Sequence, residues 1–143
     1  MLDIKYVSSE KSLRYSGISD YFEVAANAVK AAYRLKAEPK INPDGIMQSG
    51  VIIRHLVLPQ STREAMAVAD WVAENTPNAY FSVMAQYLPC GKAENYSEIN
   101  RRITRREYDK VIDYVCSKNI KNVYIQSRTS AESDYIPKFN LGE

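Results

Sequence analysis

Gly50-Val51-Ile52-Ile53-Arg54-His55-Leu56-Val57-Leu58-Pro59 decides the fold. A continuous run of β-branched residues and leucine, bounded by Gly and Pro, has the composition of a strand buried on both faces of a parallel sheet. Side chains alternate along a strand, so Ile52, Arg54 and Leu56 share one face while Val51, Ile53, His55 and Val57 share the other. Arginine keeps its charge, and an unpaired charge inside a sheet is costly. Arg54 therefore needs a carboxylate, carbonyl groups or an anionic ligand. His55, on the apolar face, reads as a packed and hydrogen-bonded core residue.

Downstream of this strand, Ser61 with Glu64 forms a capping-box pattern. The helix it opens runs to about Asn75, with Ala65, Met66, Val68, Ala69 and Val72 on its buried side. Ala79 to Tyr87 is a further strand, with Ser82, Met84 and Gln86 on one face and Phe81, Val83, Ala85 and Tyr87 on the other. Leu88 to Asn100 is a loop. Thr104 with Glu107 caps another helix, buried through Tyr108, Val111, Ile112 and Val115, and Asn122 to Gln126 is a short last strand. Residues 127–143 form a polar tail with scattered Tyr135, Ile136 and Phe139, so the domain is expected over 1–126 and the tail over 127–143.

Upstream, Leu2 to Val7 is a strand in which Asp3 and Lys5 share a face. Taken alone, the two read as a surface ion pair on an exposed edge strand. Ser8 to Gly17 is a polar stretch with turn chemistry at Ser16-Gly17. Asp20 with Glu23 begins a helix that follows apolar spacing to about Leu35. Glu38 to Ser49 is a connection with a turn at Asp44-Gly45, and its length marks it as functional or disordered.

Strands separated by single helices, in the order β-α-β-α-β-α-β, imply an α/β fold with a parallel sheet and right-handed crossovers. Ligands in such folds bind at the carboxyl ends of the strands. Polar strand residues recur there on three strands: Asp3 and Lys5, Arg54 and His55, Gln86 and Tyr87.

The bulk properties narrow the field. A chain of 143 residues can bury one core, and 45% hydrophobic with 25% charged residues is ordinary for a globular domain. A net charge of +2 gives no argument for nucleic acid, and Arg101, Arg102, Arg105 and Arg106 at helical spacing read as a solvated face. Two distant cysteines, Cys90 and Cys116, make neither a metal pattern nor a disulfide framework, which suits a reducing cytoplasmic setting. Cys90 reads as a small hydrophobe, and Tyr80, Tyr87 and Tyr108 as core. No apolar run reaches membrane-spanning length, and Met1-Leu2-Asp3 is not how a secretory signal opens. There is no P-loop, GxGxxG or zinc motif. A flavodoxin-like binder would need a Gly-rich loop after the first strand, and Ser8-Ser9-Glu10-Lys11-Ser12 has none.

Several strings together resemble the radical S-adenosylmethionine proteins related to pyruvate formate-lyase activating enzymes. They are Arg54-His55-Leu56-Val57-Leu58-Pro59 with Trp71-Val72-Ala73-Glu74-Asn75, Gln86-Tyr87-Leu88-Pro89 with Gly91-Lys92-Ala93, and Asn100-Arg101-Arg102-Ile103-Thr104. Ser16-Gly17 through Tyr21-Phe22-Glu23-Val24-Ala25, and Asp134-Tyr135-Ile136-Pro137, extend the resemblance over nearly the whole chain. It implies a partial TIM-like (β/α) barrel, the back half of a radical S-adenosylmethionine barrel beginning at about its fourth strand. The Cys-x3-Cys-x2-Cys loop that holds the [4Fe–4S] cluster belongs to the front half in that family, and this sequence contains no such loop.

By the same resemblance Asp3 and Lys5 face S-adenosylmethionine, with Lys5 approaching its ribose or carboxylate and Asp3 its amine or a cation. Arg54 contacts the same ligand, Gln86 lies on a strand beside it, and His55 points outward to the helix layer. The intact enzyme would cleave S-adenosylmethionine reductively to a radical and act on a glycyl-radical enzyme or another protein substrate, with this chain inactive alone. The alternative is a stand-alone, non-catalytic half barrel whose exposed sheet edges bind a partner or a second copy.

Overall fold

The computed structural model describes residues 1–125. Its elements are β1 (Leu2–Asp3), α1 (Ser9–Ser16), α2 (Tyr21–Leu35), β2 (Lys40–Ile41), β3 (Met47–Ser49), β4 (Ile52–Leu56), α3 (Thr62–Asn75), β5 (Tyr80–Met84), a 3-10 turn (Gly91–Asn95), α4 (Arg105–Cys116) and β6 (Asn122–Ile125). The expected tail over 127–143, its Tyr135, Ile136 and Phe139, and the last strand residue Gln126 lie outside the described residues.

The main sheet is parallel, with strand order β1-β4-β5-β6. The strands neighbour one another in the order in which the chain makes them. The expected α/β class and parallel sheet are present.

The expectation that β4 is buried on both faces does not hold among the described residues. Val51, Ile53, His55 and Val57 are buried, while Ile52, Arg54 and Leu56 are only half-buried. The helices supply one layer. Ile4, Ile53, Val57, Phe81 and Val83 from the sheet pack with Val29, Val68, Val72, Val111 and Val115 from the helices, all fully buried. The unbroken apolar run reports two faces of the strand, but only one of them carries the core.

Local chemistry explains the helix limits, with three departures from expectation. The polar stretch Ser8 to Gly17 contains α1. The Ser8 hydroxyl accepts a hydrogen bond from the Lys11 amide, and Gly17 closes the helix at φ 71°, a left-handed position that suits glycine. The long connection Glu38 to Ser49 contains the β2–β3 hairpin around the expected Asp44-Gly45 turn. Gly50, at φ 132°, brings the backbone so close to Pro39 that a β-carbon there would sit 3.0 Å from its Cα.

The third departure concerns caps. Neither Asp20 nor Ser61 makes a side-chain cap bond. Glu64 instead accepts from the backbone amides of Val7 and Ser8, tying α3 to the segment after β1. The Ser61 hydroxyl donates to the Pro59 carbonyl and accepts from Lys11 Nζ. Thr104 and Glu107 do form the reciprocal capping box, and Arg101 grips the Glu107 carboxylate as well.

Candidate functional site

The face of the sheet that no described helix covers is where the polar strand residues gather. Parallel register sets Asp3 beside Arg54, and Arg54 beside Ser82. Arg54 Nε donates to Asp3 Oδ1 at 2.7 Å and Nη2 to Oδ2 at 3.0 Å, a bidentate fork. The carboxylate that Arg54 requires is therefore supplied by β1, 51 residues away in sequence. The expected edge-strand pair between Asp3 and Lys5 is replaced by this cross-strand pair, because both oxygens of Asp3 face the guanidinium.

The end of β1 is fixed from the side by α2. The Tyr21 hydroxyl donates to the Asp3 carbonyl at 3.0 Å and accepts from the Lys5 amide at 3.1 Å. Burial raises the pKa of this phenol, so it remains a donor. Lys5 follows on the same face as Asp3 and is exposed, and among the described residues its ammonium has neither an ion pair nor a hydrogen bond. Gln86 and Ser82 likewise have no side-chain partner there.

Two cavities open on this face. One, of about 440 Å³, is lined by Ile52, Arg54, Tyr80, Ser82, Met84 and Gln86, with Ile41 and Met47 of the hairpin at its side. The other, of about 240 Å³, holds Asp3, Lys5, Leu56 and Tyr87. Arg54 and Met84 line both and form the partition between them. The structure thus brings Asp3, Lys5 and Arg54 to one cavity, and Arg54 and Gln86 to the adjoining one. Lys5 and Gln86 each lie two residues beyond the last residue of their strand, so the polar groups cluster toward the carboxyl ends.

His55 stands on the opposite face, in the helix layer, as expected. Its Nδ1 lies 2.8 Å from the Ile4 carbonyl. A carbonyl only accepts, so Nδ1 carries the proton, and burial pushes the imidazole pKa down. His55 is a structural residue in this geometry. Tyr108 is core, with its hydroxyl on the Val83 carbonyl, but Tyr80 and Tyr87 line the cavities instead of the core. Cys90, expected as a small hydrophobe, is exposed, in extended backbone just before the 3-10 turn.

Sequence reasoning singled out neither Ser82, Tyr21 nor the hairpin as part of the site. Ser82 carried a signal, a lone hydroxyl on the Met84–Gln86 face of an apolar strand. Tyr21 carried none, since its role depends on the packing of α2 against β1.

Among the described residues no group of three His, Cys, Asp or Glu side chains could hold a metal ion, and no helix is long and apolar enough to cross a membrane. The chain is 31% identical over 125 residues to an uncharacterized protein of Methanocaldococcus jannaschii. The aligned stretch takes in 87% of this chain and 33% of that protein, so the chain spans about a third of its relative's length. No protein-family description matches the sequence, and no solved structure matches the chain.

Proposed function

We propose that this chain is the carboxyl-terminal part of a radical S-adenosylmethionine enzyme resembling the pyruvate formate-lyase activating enzymes. In this reading its bare sheet face is one wall of the S-adenosylmethionine site inside a partial TIM-like barrel. The observation that carries the reading is a parallel sheet in sequential strand order with one face covered and the other lined by Asp3, Lys5, Arg54, Ser82 and Gln86. A doubly wound sheet reverses its strand order, whereas a barrel sector does not. A parallel sheet normally has both faces covered, and the interior of a barrel is covered by its own remaining strands. A relative three times as long has room for those strands.

The side chains suit the ligand. The unpartnered Lys5 ammonium fits its carboxylate, and Ser82 with Gln86 offers hydroxyl and amide groups to ribose or adenine. Arg54 spends two donors on Asp3 and keeps the others for the cavities. Asp3, with one bond on each oxygen, positions Arg54 and keeps further lone pairs for the ligand amine or a cation. The [4Fe–4S] cluster does not fit the described residues, whose only cysteines are exposed on separate elements. Its ligands are assigned to a part of the enzyme outside this chain. When bound, the cofactors supply reductive bond cleavage; the residues here bind and orient.

The test is an NMR titration of the 143-residue chain with S-adenosylmethionine. Saturable shifts in residues 52–56 and 80–86, with Kd about 1 mM and about tenfold weaker in Lys5→Ala, support the reading. Absence of saturable shifts on this face overturns it. A second reading, a non-catalytic association module, is favoured by the exposure of Tyr124 and Ile125 on β6, 59% and 43%. A dimer in light scattering that buries the sheet face and excludes the ligand would replace the first reading with this one.

A further inference from the structure

A third cavity, of about 220 Å³, sits on the rim above the carboxyl ends of the strands. Tyr6, Tyr15, Tyr87 and Tyr96 wall it, and Lys92 stands at its edge. It shares Tyr6, Leu58 and Tyr87 with the Lys5 cavity, so the two adjoin. We propose that this rim cavity is a binding site for a planar aromatic anion, its ring held between the tyrosines and its acidic group on Lys92. The inference goes beyond the S-adenosylmethionine reading and does not depend on it.

The walls are set before any ligand arrives. The Tyr87 hydroxyl donates to the Ile99 carbonyl at 2.9 Å, and the Tyr15 hydroxyl to Glu98 Oε1 at 2.9 Å. Tyr6 packs against Tyr15 with ring centres 6.1 Å apart, and Tyr15 meets Tyr96 edge to face at 5.3 Å. The Arg14 guanidinium lies 5.1 Å from the centre of the Tyr96 ring. Rings fixed by hydroxyl bonds and edge contacts lose little freedom on binding, which favours stacking of a flat ligand. The volume suits one ring system and falls below that of drug-sized pockets, roughly 300–1,000 Å³.

Charge selects the sign. Of the two acids next to lining residues, Glu98 is already held by Arg14, whose Nε lies 2.7 Å from Oε1, and Glu94 is exposed on the Gly91–Asn95 turn and does not line the cavity. Lys92 has no ion pair or hydrogen bond among the described residues. Lys5, in the adjoining cavity, has none either. Among the described residues that line the connected groove, the two unpartnered charges are both positive, and an anion is the complement.

Calorimetric titration of the full chain, without S-adenosylmethionine, tests this with three probes: indole-3-propionate, hexanoate and tryptamine. They separate an aromatic anion from an aliphatic anion and from an aromatic cation. The proposal expects indole-3-propionate to bind about tenfold tighter than either control. Lys92→Ala should abolish that preference over tryptamine, and Tyr96→Leu should weaken the acid about fivefold while the unfolding midpoint holds. Equal binding of hexanoate, equal binding of tryptamine, or no saturable binding of the indole acid each overturns it. Because this readout omits S-adenosylmethionine, its failure and the failure of the sheet-face titration are separate events.

Discussion

Within β4, neighbouring residues belong to different environments. Ile53 is fully buried and His55 3% exposed, whereas Arg54 between them keeps 37% of its side chain in solvent. The division is weaker in β5, where Phe81 and Val83 are fully buried and Tyr80 and Met84 half-buried, but Ser82, on the face of Tyr80 and Met84, is also buried at 8% exposure. Residues facing the helices are apolar, and the polar one among them, His55, is satisfied by a backbone carbonyl. Residues facing away mix apolar surface with one charge pair and unpartnered polar groups. The first face carries the buried core, and the second carries the two cavities.

Truncation on the two faces should separate them most sharply. Phe81→Ala leaves a hole in the fully buried layer and is expected to cost about 3–5 kcal/mol in denaturant unfolding. Tyr80→Ala, one residue away on the bare face, should cost less than about 1 kcal/mol. Comparable costs would mean that the bare face is a packed core surface.

The next effect is a pH dependence that belongs to one face. His55 is the chain's single histidine, and burial lowers its folded pKa below the usual 6.5. Above 6.5 both folded and unfolded states hold it neutral, so its full contribution is present. As pH falls below 6.5 the unfolded state takes up the proton first, and stability is lost down through the folded pKa. The slope approaches about 1.4 kcal/mol per pH unit. Stability measured from pH 7 to pH 5 should show this fall, and His55→Gln should flatten it even though the variant starts less stable. The Glu98 carboxylate, held at about 2 by Arg14, changes charge at lower pH and leaves this window clear.

A smaller effect is expected at the α4 cap. Thr104→Ala removes the acceptor for the Glu107 amide and should lower stability by about 1 kcal/mol. Ser61→Ala, whose hydroxyl caps nothing, should leave the helicity of α3 unchanged by circular dichroism.

These caps show where sequence was informative. Ser61-x-x-Glu64 and Thr104-x-x-Glu107 carry the same local signal, yet Glu64 is claimed by the amides of Val7 and Ser8 from a distant segment. The α/β order and the alternation in β4 were legible because each depends on spacing along one element. Helix α1 was hidden because its turns are polar, with only Ser12 buried, so apolar periodicity is missing where local capping suffices. The hairpin was hidden because two- and three-residue strands are too short to show alternation. At the site, the need of Arg54 for a partner could be read from the strand, but not which carboxylate would meet it. Asp3 becomes that partner only through the register of β1 on β4.

That pair supplies the smallest stability effect and the finest test of the two-face contrast. Asp3 and Arg54 are joined by two good hydrogen bonds, yet their side chains remain 38% and 37% exposed. Water screens such a pair, and exposed ion pairs contribute about 0.2–1 kcal/mol in double-mutant cycles. The cycle formed by Asp3→Asn, Arg54→Gln and the double variant should give a coupling in the lower half of that range for folding, falling further as salt is added. On the proposed S-adenosylmethionine reading, the same cycle should give a larger coupling in titrations with that ligand, because Asp3→Asn frees Arg54 to swing and Arg54→Gln removes the donors that Asp3 orients. A coupling larger in folding than in binding would make the pair a structural bridge between β1 and β4, and would shift the candidate ligand contacts to Lys5, Ser82 and Gln86.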